Sequence, residues 1–146
     1  MTIYTMGFAQ KNAEQFFELL KKNDVEMLVD IRLNNKSQLA GFTKGQDLKY
    51  FLKAICNCEY RHCTEFAPTK EILDAYKKGD IDWAQYVARF LPLMETRHAA
   101  RLFETMFGKY ERVCLLCSEP TPEQCHRRLL AEIIQKSAPE TTVVHL

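Results

Sequence analysis

Apolar residues follow two rhythms along this chain. Short dense runs of four to six residues alternate with longer stretches in which apolar positions recur every three or four residues. The dense runs are Ile3–Met6, Met27–Ile31, a weaker one at Glu59–His62, Val113–Cys117 and Thr142–His145. Their length suits strands, and the unbroken apolar character of Met27–Ile31 suits a strand covered on both faces. The sparse stretches predict helices. Ala13, Phe16, Phe17, Leu19 and Leu20 make one stripe, and Leu48, Phe51, Leu52 and Ile55 make a second within Asp47–Asn57. Further helices are expected from Thr69 to Lys78, from Asp82 through Phe90, from about Glu95 to Phe107, and across Leu129, Leu130 and Ile133.

Polar residues punctuate this pattern. Asn12 with Gln15 and Asp82 with Gln85 have capping-box spacing, Thr69 suits a helix N-cap, and Gly79 and Gly108 suit helix ends. Pro92 is expected to stop or kink its helix. Before the last long helix, Thr121 is expected as N-cap, Pro122 at the first helical position and Gln124 as the return partner of a box. Strands interleaved with amphipathic helices predict an α/β fold: a Rossmann-like domain spanning 1–146, with a mainly parallel sheet of about four or five strands and helices on both faces. Ligands of such sheets bind outside the strand carboxyl ends. Gly7, the Asp30-Ile31-Arg32 segment and the Cys117-Ser118-Glu119 segment should therefore meet at one edge. The polar connection Arg32–Gln46, long for a loop, should flank it.

Composition narrows the classes. A net charge of +1 removes the electrostatic case for a bulk nucleic-acid or membrane binder. No apolar run approaches the roughly 18 residues that span a bilayer. The first residues lack the basic and apolar regions of a signal peptide, so the cytoplasm is the expected compartment. There the six cysteines are expected to be free thiols rather than a disulfide framework.

The reactive side chains crowd the junction between the Val113–Cys117 run and the helix after it. His126 falls on the buried face of that helix, aimed at the strand ends, with Cys125 and Arg127 on its flanks. It is either a satisfied core imidazole or a general acid or base beside Cys117, Cys125 or Glu119. Cys125 near a helix start, beside Arg127 and Arg128, is a candidate nucleophile. Cys114 is expected in the core, and Cys117 can be nucleophile or pocket wall. Seven residues separate Cys117 from Cys125, which fits no compact zinc pattern, so no metal is expected. His62 and Cys63 are more distant candidate donors, and Cys56 and Cys58 are irregularly spaced with them. Arg32 and Arg127 could clamp an anion. No phosphate-binding lysine loop or dinucleotide glycine fingerprint is present, and no cofactor is expected. Trp83, Tyr86 and Phe90 read as helix core.

Ile3-Tyr4-Thr5-Met6-Gly7, Leu28-Val29-Asp30-Ile31-Arg32 and Leu115-Leu116-Cys117-Ser118-Glu119 with Cys125-His126-Arg127 together resemble the domain of unknown function 488 family. The resemblance implies a Rossmann-like sheet. It places the family pattern on Gly7, Asp30, Arg32, Ser37, Cys117, Glu119, Cys125, His126 and Arg127. Such proteins commonly carry a proline before the serine, where this chain has Asn34 and Asn35. The resemblance implies no reaction.

The leading expectation is an anionic, nucleotide-like small molecule in one strand-end pocket. Arg32 and Arg127 would hold it, with Gly7, Asp30 and Ser37 lining the site. Acting on it as an enzyme would fall to Cys125, His126, Glu119 and Cys117. The alternative is a non-catalytic module that contacts nucleic acid or protein through the same edge, without a membrane. A plain scaffold role for these residues is the third possibility.

Overall fold

The computed structural model describes residues 1–36 and 40–146. Five strands form one sheet, all parallel, in the order β3-β2-β4-β1-β5. They are β1 (Thr2–Gly7), β2 (Met27–Asp30), β3 (Glu59–His62), β4 (Arg112–Cys117) and β5 (Thr142–His145). Parallel neighbours require a crossover, and each crossover here contains at least one helix: α1 (Ala13–Lys22), α2 (Gly45–Phe51), α3 (Lys70–Lys77), α4 (Trp83–Thr96), α5 (Ala99–Phe107) and α6 (His126–Ser137). The register sets Gly7 opposite Cys117 and Asp30 opposite Leu116. The three segments expected to meet at one edge therefore do so.

Alternation along the strands feeds two cores. Met27, Val29, Val113 and Leu115 face a layer built by α3 to α6, including Phe90, Phe103, Phe107, Leu130 and Ile134. Leu28, Cys114 and Leu116 face the other layer, where Phe16, Phe17 and Leu20 of α1 meet Leu48 and Leu52. Burial on both faces explains why β2 and β4 lack polar alternation. Among the described residues, no helix is long and apolar enough to cross a membrane.

The caps at Asn12, Thr69 and Asp82 form as expected, the first and third as complete boxes. Three boundaries differ from expectation. Helix α2 gives way at Leu52 to a wide π turn that ends at Asn57 in the left-handed region (φ 49°). Pro92 does not stop α4, which continues to Thr96. The carbonyl deprived of a donor belongs to exposed Ala88, where water can bond it, and burial of Tyr86, Phe90 and Met94 holds the helix along one stripe. Helix α5 begins at Ala99 rather than near Glu95, because His98 takes a left-handed φ of 51° and breaks the chain direction.

Candidate functional site

A pocket of about 200 Å³ opens at the carboxyl ends of β2 and β4. Arg32, Leu33 and Asn34 bring in the segment after β2, and Cys117, Ser118 and Glu119 the segment after β4. Gln124, Cys125 and His126 close the floor from the start of α6. The outer wall comes from α3 and α4: Tyr76 and Lys77, then Trp83 and Tyr86.

The floor is built by a turn that differs from its sequence expectation. Thr121, Pro122 and Gln124 do not begin the helix. Cys125 is the N-cap and His126 the first helical residue. The intervening carbonyls are bonded instead by two arginines of the helix's own first turn. Arg127 Nη1 donates to the carbonyls of Glu119 (2.6 Å) and Thr121 (3.3 Å). Arg128 donates to those of Pro122 (3.3 Å) and Glu123 (3.0 Å). These bonds fold residues 118–124 back over the helix start and carry Cys125 to the end of β4.

The side-chain atoms of Cys117, Cys125 and His126 consequently lie within 4.8 Å of one another, all in buried residues. His126 Nε2 is 2.8 Å from the carbonyl oxygen of Ile31. That oxygen can only accept, so Nε2 carries the proton. In the neutral ring Nδ1 then carries a lone pair, and Cys117 Sγ lies beside the ring, 3.5 Å from Nδ1 and 4.0 Å from Nε2. The two thiols are not equivalent. Cys117 has its pKa lowered, first by a hydrogen bond from the Cys125 thiol and then by the Ser118 backbone, against the opposing effect of burial. Cys125 is driven upwards by that same bond and by burial. The helix start does not make Cys125 the more acidic thiol, since its partner Cys117 takes the stabilising bonds.

Asp30 and Arg32 form a second cluster beside the pocket. Both are buried, and Asp30 accepts from Arg32 Nε (2.8 Å) and Nη2 (2.7 Å) and from the Tyr60 hydroxyl (2.7 Å). Arg32 also donates to the backbone and hydroxyl oxygens of Thr43. Burial works to discharge the guanidinium. The bonds and charge of Asp30 outweigh it and raise the Arg32 pKa. Four of its five N–H groups are thus committed, and one on Nη1 has no partner among the described residues. Arg32 also stacks over the Phe8 ring, with its guanidinium carbon 5.3 Å from the centroid.

The other expected residues fall in different places. Glu119 is exposed at the pocket rim. Arg127 is fully buried but turns away from the pocket towards β1, donating to Thr5 Oγ1 (3.2 Å). Gly7 lies where a Cβ would strike the Glu119 carbonyl and come within 3.0 Å of Arg127 Nη1, so a side chain is excluded there. His62 bonds the Arg32 carbonyl at 2.7 Å, and Cys56, Cys58 and Cys63 lie in core positions away from the floor. Ser37 lies outside the described residues.

Sequence reading missed the aromatic wall. Trp83 and Tyr86 stack at 5.0 Å and 15°, and Tyr76 packs 5.1 Å from Tyr86. Only part of this group is core: Tyr86 is buried, whereas Trp83 and Tyr76 are half-buried and face the pocket. The available signal was the i, i+3 placement of Trp83 and Tyr86 beside the exposed Lys77-Lys78 end of α3.

An all-parallel α/β sheet with its one cysteine–histidine cluster, among the described residues, at the strand carboxyl ends defines the class of this protein. The chain belongs to the family described as domain of unknown function DUF488, which it matches over residues 12–134. No curated protein and no solved structure gives a significant match.

Proposed function

We propose that this single-domain protein binds a small planar anion of nucleotide-like class in the strand-end pocket and acts on it as an enzyme at the Cys117–Cys125–His126 floor. One observation carries the reading: the reactive floor and the aromatic wall line the same cavity. Stacked indole and phenol faces favour a flat ring. At about 200 Å³, the cavity lies below the range of about 300–1,000 Å³ that holds drug-sized ligands. It suits one ring system with its charged group at the mouth. Lys77 and the uncommitted N–H of Arg32 are positioned to meet that charge. Glu119, exposed at the rim, is the group free to exchange protons with a bound molecule and solvent. Arg127 and Gly7 serve as positioning residues, since they shape the turn that carries Glu119. A reducing compartment such as the cytoplasm would keep the floor thiols available.

Trp83 is the chain's single tryptophan, so its fluorescence reports on the wall directly. Titration with a panel of nucleoside monophosphates and benzoates should give saturable quenching by at least one of them. Lys77→Ala should weaken that binding about fivefold, the scale of an exposed charge pair. A flat titration across the panel sinks the reading.

A further inference from the structure

We infer that Cys117, Cys125 and His126 form a zinc site with one coordination position open to the pocket. The inference takes the pocket floor from the reading above as its starting point, and its test fails separately from that reading.

Two thiols and an imidazole are the ligands that borderline and soft divalent ions prefer. All three donor atoms lie within 4.8 Å of one another. Tetrahedral zinc, with Zn–S of about 2.3 Å and Zn–N of about 2.0 Å, sets a sulfur and a nitrogen roughly 3.5 Å apart. Cys117 Sγ and His126 Nδ1 are already 3.5 Å apart. The sulfur is also 4.0 Å from Nε2 and so lies beside the ring, and binding requires the Cys117 side chain to turn onto the Nδ1 lone-pair axis.

The hydrogen bond on the far side of the imidazole agrees. A metal-bound histidine characteristically donates its other ring N–H to a carbonyl or carboxylate, which fixes the tautomer and aims the lone pair. His126 does this through Nε2 and the Ile31 carbonyl. The seven-residue gap that argues against a compact zinc knuckle does not apply to donors brought together by a strand end and a helix start. Knuckle spacing describes a single tight turn. Here Arg127 and Arg128 tether the intervening loop through its own carbonyls, and the two donor segments converge.

Three protein ligands leave a tetrahedral ion one position short, and all three residues line the pocket. An open position is what separates catalytic from structural zinc sites. The bound anion's oxygen, or a water, is the natural fourth ligand, with Glu119 at the rim.

The test uses the full chain, reduced, stripped with a chelator and titrated with Co²⁺. Thiolate-to-cobalt charge-transfer absorption should grow to saturation at one ion per chain and be displaced by Zn²⁺. It should collapse in Cys117→Ser and in Cys125→Ser, and persist in Cys56→Ser. X-ray absorption on the zinc-loaded wild type, which needs no variant to fold, should show two sulfur ligands and at least one imidazole nitrogen. No charge-transfer band, a band indifferent to both serine substitutions, or a sulfur-free zinc shell overturns the inference. The nucleoside monophosphate titration, run on the chelator-stripped protein, reports on the pocket independently of either result.

Discussion

Two buried guanidiniums stand at the same edge of the sheet, and the protein treats them in opposite ways. Arg32 is clamped in bidentate fashion by Asp30, 2.7 Å away, and braced by Thr43. Arg127 is equally inaccessible but has no ion-pair partner among the described residues. It is held by two backbone carbonyls and a hydroxyl, and among the described residues its Nη2 has no hydrogen-bond partner. Arg32 is part of a closed network that fixes the loop after β2. Arg127 holds the turn after β4 by dipoles alone. Burial by itself says nothing about which role an arginine plays. The partners do, because a desolvated charge needs compensation and carbonyl dipoles supply less of it than a carboxylate.

The sharpest way to break this contrast is to remove the counter-ion from the closed network. Asp30→Ala leaves Arg32 charged, buried and unpaired and strips the Tyr60 hydroxyl of its acceptor. It should cost about 3–5 kcal/mol in a urea melt at neutral pH. A loss below 1 kcal/mol would mean that Arg32 simply swings to solvent. Gly7→Ala comes next, since its Cβ meets main chain at Glu119. About 3 kcal/mol, the upper part of the overpacking range, is expected, and relief of that strain should move Glu119 at the pocket rim. Ligand affinity should fall with stability in this variant. Unaltered affinity would show that the turn adjusts elsewhere.

Arg127→Met keeps the volume while removing both the unpaired charge and the donors. The two effects oppose each other, so a smaller loss of about 1–2 kcal/mol is expected. A loss as large as that of Asp30→Ala would mean that the two arginines are equally indispensable to the fold.

The smallest effect is one of pH. His145, whose Nδ1 lies 2.6 Å from Thr5 Oγ1, has its pKa held below the ordinary 6.5, first by burial and then by the positive charge of Arg127. Arg128 pushes the same way, while Glu132 and Glu123 push back. The unfolded chain therefore takes up this proton first. The contribution is complete above pH 6.5 and is lost as the pH falls through the lower folded value. In Arg127→Met this acid-side loss should shrink, as read from melts at pH 7.5 and 5.

Much of the site was legible as a list of residues and little of it as an arrangement. Cys117, Cys125 and His126 were identifiable from their crowding, and the inward aim of His126 followed from helix periodicity. The Thr121-Pro122-Gln124 signal was misleading for a definite reason. Its capping chemistry is local, worth about 1 kcal/mol, and it competes with bonds from Arg127 and Arg128 to the carbonyls of the same loop. Pro92 failed as a stop signal because the carbonyl it deprives is exposed, so the penalty is small beside the burial of Tyr86, Phe90 and Met94. The pocket's wall escaped notice because a helix stripe does not reveal how much of an aromatic ring its neighbours cover.

Local pattern alone determined the five strands, the three capped helix starts and the parallel α/β class. Strand length, helical stripes and caps depend on near neighbours in the chain, and burial of β2 and β4 on both faces is written in their unbroken apolar runs. The tertiary structure decided what needs distant partners. It buried the Asp30–Arg32 pair against Thr43 and Tyr60 and, among the described residues, left Arg127 without a carboxylate. It also set Cys125 beside Cys117 across a folded-back loop and assigned the lower pKa to Cys117. Hydrogen-bond partners and desolvation depend on position in space, and residues far apart in the chain acquire neighbouring positions only when the whole sheet and both its cores assemble.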